Sequence, residues 1–149
     1  MAKGITELVF NGTLAGVAPG DSLGNFPNER LVPVNNPGDG NPKRYHYVHD
    51  NITFELEAEE TTIKNFRLIF DRADGKKYTL QRNQGEACFS LSVRSSFTEF
   101  VQFLNDLKIN WAMDLDSIGP KMIGIRLESG TIIRYAFEDT FFGFYELLR

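Results

Sequence analysis

Ile52-Thr53-Phe54-Glu55-Leu56-Glu57-Ala58-Glu59, followed by Glu60-Thr61-Thr62 and then Ile63-Lys64-Asn65-Phe66-Arg67-Leu68-Ile69-Phe70, is the stretch from which the architecture follows. In its first run Ile52, Phe54, Leu56 and Ala58 alternate with Thr53, Glu55, Glu57 and Glu59. A period of two belongs to a strand, because successive side chains there project to opposite faces. Phe66, Leu68 and Phe70 keep the same period in the second run. The two runs therefore predict a hairpin whose apolar faces coincide when Leu56 pairs with Phe66, a register that sets Glu55 across from Arg67.

Working outward, residues 45–48 read as a further strand, Asp74-Gly75 as a turn and residues 77–82 as another strand. Ser96-Phe97-Thr98-Glu99 is a capping box, and Phe97, Phe100, Val101, Leu104 and Leu107 behind it repeat at helical spacing. A helix over about 96–108 is expected, with Lys108 in its last turn, where a cation suits the helix dipole. Ile123, Ile125 and Leu127, then Ser129-Gly130, then Ile133, Tyr135 and Phe137 form a second hairpin pattern. Its polar faces would set Arg126 opposite Arg134, so both arginines require carboxylates from a neighbouring strand or from a partner. The run 52–71 echoes 122–139 and hints at a duplicated unit.

At the amino end, Ile5, Leu8 and Val9 keep helical spacing up to Asn11-Gly12, which predicts a short opening helix. From about 18 to 43 the chain is dense in Pro, Gly and Asn, including Pro37-Gly38-Asp39-Gly40, and reads as a long loop. The tail Phe141-Phe142-Gly143-Phe144-Tyr145-Glu146-Leu147-Leu148 fits helical and strand spacing equally, and core packing is its simplest use. Strand connections too short for repeated crossovers make the sheet mostly antiparallel. The expected fold is one α+β domain over 1–149, a twisted sheet built from two hairpins with two helices.

A chain of 149 residues with 42% hydrophobic content can bury a core without staples. Its single cysteine, Cys88, favours the reducing cytoplasm, and its setting between Ala87 and Phe89 predicts a buried, inert thiol. A net charge of −4 and a pI near 5.2 argue against nucleic acid and lean toward basic protein partners. No apolar run has the length of a signal peptide core or a membrane span.

Candidate chemistry is sparse. His46, His49 and Asp50 form H-x-x-H-D, yet residues three apart on a strand point to opposite faces, so convergence on a metal needs an intervening turn. Two histidines and one cysteine offer few ways to build an activated nucleophile. The carboxylates Glu55, Glu57 and Glu59 on one strand face, with Glu138 and Asp139 at the end of another strand, are the candidate partner-binding residues. An acidic strip on a rigid sheet can steer a basic partner and fix its register, and Trp111 and the tail aromatics are available as anchors. No cofactor or metal is expected.

Thr13-Leu14-Ala15-Gly16-Val17-Ala18-Pro19-Gly20-Asp21-Ser22-Leu23, then Tyr45, Ile52-Thr53-Phe54 and Ile63-Lys64-Asn65-Phe66-Arg67-Leu68, resembles small immunity proteins encoded beside bacterial polymorphic toxins, including contact-dependent growth inhibition systems. The run from Phe97 to Leu107 and Ile125-Arg126-Leu127-Glu128-Ser129-Gly130 looks like the later helix and hairpin of that family. Gly24-Asn25-Phe26-Pro27 departs from the family's usual turn, which leaves the toxin type open. The resemblance implies a cytoplasmic, non-enzymatic inhibitor that binds one cognate toxin domain. Two other functions compete: a hydrolase using carboxylates with His46 or His49 and a metal, and an adaptor that forms homo-oligomers through the tail.

Overall fold

Every second side chain from Ile52 to Ala58 is buried, and this alternation organises the sheet around it. The computed structural model describes residues 3–27, 31–34, 43–70, 75–138 and 141–149. Helix α1 (Lys3–Asn11) precedes strands β1 (Leu31–Pro33), β2 (Lys43–His49), β3 (Ile52–Glu59) and β4 (Thr62–Ile69). A small hairpin of β5 (Tyr78–Leu80) and β6 (Phe89–Leu91) leads into helix α2 (Phe97–Asp106). Strands β7 (Trp111–Met113), β8 (Met122–Leu127), β9 (Ile132–Glu138) and β10 (Phe141–Leu148) complete the chain.

Eight strands form one sheet in the order β1-β2-β3-β4-β10-β9-β8-β7, with every pair antiparallel. The class is α+β. The sheet consists of two four-stranded meanders, each preceded by a helix, joined where the last strand of one pairs with the last strand of the other. In that arrangement β3–β4 corresponds to β9–β10, so the echo between 52–71 and 122–139 is displaced by one strand.

The expected register of the first hairpin holds: Leu56 pairs with Phe66 and Glu55 with Arg67. Asp50 and Asn51, both with φ near +50 to +60°, supply the two-residue turn that closes β2 onto β3, a backbone that Asn and Asp tolerate better than most residues. The second hairpin differs from expectation. Its ladder pairs Gly124 with Arg134 and Arg126 with Ile132, so the two arginines stand diagonal rather than opposite. The turn is centred one residue earlier than Gly130, closed by the Leu127 N–H on the Thr131 carbonyl at 2.9 Å and the Gly130 N–H on the Leu127 carbonyl at 2.8 Å.

The amino-terminal helix is present, and Gly12 ends it with φ +69 while its N–H donates to the Leu8 carbonyl at 3.1 Å. The β8–β9 turn reaches the same helix end: Thr131 Oγ1 donates to the Leu8 carbonyl at 2.5 Å and Ser129 Oγ to the Val9 carbonyl at 2.7 Å. At α2 the capping box works through Ser96, whose hydroxyl accepts from the Glu99 N–H at 3.3 Å. Lys108 lies past the last turn, not within it. With φ +56 it is the left-handed residue of a Schellman stop, its N–H on the Asn105 carbonyl and the Ile109 N–H on the Leu104 carbonyl, each at 2.9 Å.

Both helices and the β5–β6 hairpin cover one face of the sheet. Ile5, Leu8 and Val9 of α1 and Phe100, Phe103 and Leu104 of α2 merge with Phe54, Phe66, Phe144 and Leu147 into a single core. Fully burying each such side chain contributes about 1.5–3 kcal/mol. The tail is resolved in favour of a strand: β10 is a central strand, and Phe144 and Leu147 are fully buried. An adaptor that oligomerises through this tail would have to use a strand already paired on both edges.

Other expectations are corrected. The 18–43 stretch is not loop throughout, since it holds a 3-10 turn at Leu23–Asn25, strand β1, and the first residue of β2. Residues 35–42, with Pro37-Gly38-Asp39-Gly40, and Asp74 of the Asp74-Gly75 turn lie outside the described residues. The 77–82 strand is confined to 78–80. Cys88 is exposed rather than buried, because it lies with the exposed residues 82–85 and 87 in the connection between β5 and β6.

Candidate functional site

The face of the sheet opposite the helices carries charged side chains on β2, β3, β4, β10, β9 and β8, and there they assemble into one row. His46 of β2 stands 4.0 Å from Glu55 of β3, whose other carboxylate oxygen is 4.0 Å from Arg67 of β4. Arg67 grips Glu146 of β10 with two prongs, Nε to Oε1 at 3.1 Å and Nη2 to Oε2 at 3.3 Å. Arg134 of β9 reaches the same Oε1 through Nη1 at 3.3 Å. Glu146 is thus clamped between two guanidiniums, the geometry in which planar forks bind carboxylate best.

Backbone features aim these groups. The β9–β10 register shifts between Phe144 and Glu146, a bulge with Tyr145 as its extra residue. Bulges re-aim the side chains beside them: Phe144 stays in the core, Glu146 turns to the outer face, and the Tyr145 hydroxyl meets the Met122 sulfur. Burial, with the Glu146 carboxylate nearby, raises the Tyr145 phenol above its usual range.

On the far side of Arg134, a 3-10 turn at Leu115–Ser117 lies on the sheet over Gly124. A Cβ at Gly124 would overlap the Ser117 side chain, so glycine is what lets this turn seat. Arg134 Nε donates to Ser117 Oγ at 3.0 Å, Ser117 Oγ donates to Asp114, and Arg126 Nη2 of β8 donates to Asp114 Oδ1 at 2.9 Å. The Ser117 hydroxyl, against an opposing burial effect, and then the Arg126 guanidinium hold the Asp114 carboxyl below the ordinary range. The sequence-level demand that Arg126 and Arg134 find carboxylates is met inside the chain, by Asp114 and Glu146.

Glu55, Glu57 and Glu59 do share the outer face of β3, but they do not form an unbalanced acidic field. Glu57 is 3.9 Å from Arg44, Glu59 is 3.2 Å from Lys64, and Glu55 lies between His46 and Arg67. Arg44, Glu55, Glu57, Asn65 and Arg67 line a shallow recess of about 70 Å³. Glu138 ends β9, but its side chain and all of Asp139 lie outside the described residues.

No protein family, curated protein or solved structure matches this chain. What the face can do follows from its own chemistry.

His46 and His49 point to opposite faces, His46 toward Glu55 and His49 stacked on Tyr47 and 3.5 Å from Asp50. Among the described residues no three His, Cys, Asp or Glu side chains gather at metal-binding distance, and no helix is long and apolar enough to cross a membrane. The Ser117 hydroxyl is joined to the Asp114 carboxylate, yet a carboxyl held below its ordinary range by the Ser117 hydroxyl and the Arg126 guanidinium is a weak proton acceptor. Sequence reasoning missed Glu146, Asp114, Ser117 and Tyr145. The available signal was Glu146 itself, a lone charge in an otherwise apolar and aromatic strand.

Proposed function

We propose that this protein is a non-enzymatic immunity protein that neutralises a cognate bacterial toxin domain by docking it on the uncovered face of the sheet. The observation that carries the reading is the continuous charged row from His46 to Arg126, fixed on the strands of a rigid sheet. Side chains held in place before binding lose little entropy on binding, and paired charges set register and reject wrong partners. Exposed Val48 and Ile69 lie on the same face and supply apolar contact between the charges. The resemblance of the Gly-Asp-Ser segment and the two hairpin strands to immunity proteins agrees with this use. In the structure that segment is docked on the hairpin turn, with Gly20 and Leu23 N–H groups on the Ile63 and Thr61 carbonyls at 2.8 and 2.7 Å.

The test begins with the gene neighbourhood: the carboxy-terminal domain of a secreted protein, where one is encoded beside this chain, is coexpressed with it. Restored growth and a 1:1 complex that persists through gel filtration are expected. Undiminished toxicity with the chain present and folded would refute the proposal.

A further inference from the structure

The row is not electrically even when seen from solvent. Of its cations, Arg67 and Arg126 have side chains 42% and 50% exposed, and Arg134 is 23% exposed. The carboxylates that hold them, Glu146 and Asp114, are only 3% and 5% exposed. Over β4, β10, β9 and β8 the anions lie beneath and the guanidiniums above. At the β3 side the carboxylates are surface groups themselves: Glu55 is 47% exposed and Glu59 58%.

We infer that the surface this face receives is a carboxylate-rich patch of a protein partner, anchored on Arg67, Arg126 and Arg134. This rests on the proposed use of the outer face and reverses the basic partner that the net charge suggested. The argument is one of complementarity. A guanidinium carries five N–H donors in a planar fork, and Arg126 spends one of them on Asp114. The buried carboxylates fix the direction of each fork, so an incoming carboxylate meets donors already oriented. A nucleic acid fits less well, because its affinity grows with the number of phosphates neutralised and its backbone would run onto Glu55, Glu57 and Glu59.

Two measurements test this, one without any toxin. In the first, the Nε–H resonances of the intact protein are followed by NMR while decaglutamate or decalysine peptide is added. Saturable shifts of Arg67, Arg126 and Arg134 with decaglutamate alone are expected, weakened about threefold or more in Arg126→Gln. Absence of shifts at these arginines, or larger shifts at lysines elsewhere, overturns the inference even if the immunity reading stands. In the second, stopped-flow association with the adjacent-gene toxin domain is compared among folded variants. Arg126→Gln should slow it about fivefold or more and Arg126→Lys less, whereas Glu57→Gln should change it less than about twofold. Slowing by Glu57→Gln with none from Arg126→Gln would show a basic partner surface and overturn the inference, while leaving the immunity reading intact.

Discussion

Replacing Glu146 by glutamine separates a structural clamp from ordinary surface ion pairing. The substitution keeps the shape but removes the charge and one acceptor, and it places an amide N–H₂ against two guanidiniums. Three charge-assisted hydrogen bonds are affected. A hydrogen bond to a charged group is worth about 1.5–3 kcal/mol net. Arg67 is exposed enough to regain water and the retained oxygen still accepts, so the loss is about 2–3 kcal/mol rather than the full sum. For a chain of this length that lowers Tm by roughly 5–10 °C. Glu55→Gln serves as the control: its contacts are at 4.0 Å and its side chain is half-exposed, so it should cost about 0.5 kcal/mol or less. Urea unfolding of both variants, with unchanged slope, gives the comparison. Equal midpoints for Glu146→Gln and Glu55→Gln would refute the clamp.

Other substitutions probe the devices around it. Gly124→Ala drives a methyl into Ser117 and should destabilise by about 1–3 kcal/mol while freeing the Arg126 guanidinium from Asp114, read by urea unfolding and by the Arg126 Nε–H exchange rate. Lys108→Gly relieves a left-handed backbone at the helix stop and should stabilise by about 0.5–1 kcal/mol, seen as a higher urea midpoint. Asp114 has a lowered folded-state pKa, so the unfolded chain binds more protons between that value and about 3.9 and stability rises with pH there. Its contribution is complete above about pH 4–5 and is lost as pH falls through the folded value. Asp114→Asn should flatten that acid limb in urea midpoints taken from pH 5.5 down to 2.5, and an unchanged limb would contradict the assignment.

Where one face is apolar and the turn is tight, the sequence is enough. The β3–β4 register could be read because a slip by one residue would expose Phe54, Leu56 and Phe66 together. The start of α2 could be read from Ser96 and Glu99 because a cap is a local device. β10 was ambiguous for a physical reason: the bulge at Tyr145 breaks the period of two, and a broken strand pattern imitates a helix. A centre at Gly130 sets Arg126 opposite Arg134, whereas the turn closes through the Leu127 N–H on the Thr131 carbonyl. Cys88 was misplaced because neighbouring apolar residues do not reveal that the connection holding them is exposed. The three glutamates were found on the right face, but their pairing with Arg44, Lys64 and Arg67 comes from adjacent strands. Glu146 and Asp114 depend on strand order, which a single sequence read locally does not contain.

The working surface can be blocked directly. Ile69 is half-exposed on the outer face, two residues from Arg67 and paired with Glu146 in the ladder. In a Cys88→Ser background, Ile69→Cys conjugated to a bulky maleimide should abolish binding of the adjacent-gene toxin domain, whereas the same label on Cys88 of the unsubstituted protein should leave binding intact. Full binding by the Ile69-labelled protein would contradict the assignment of this face.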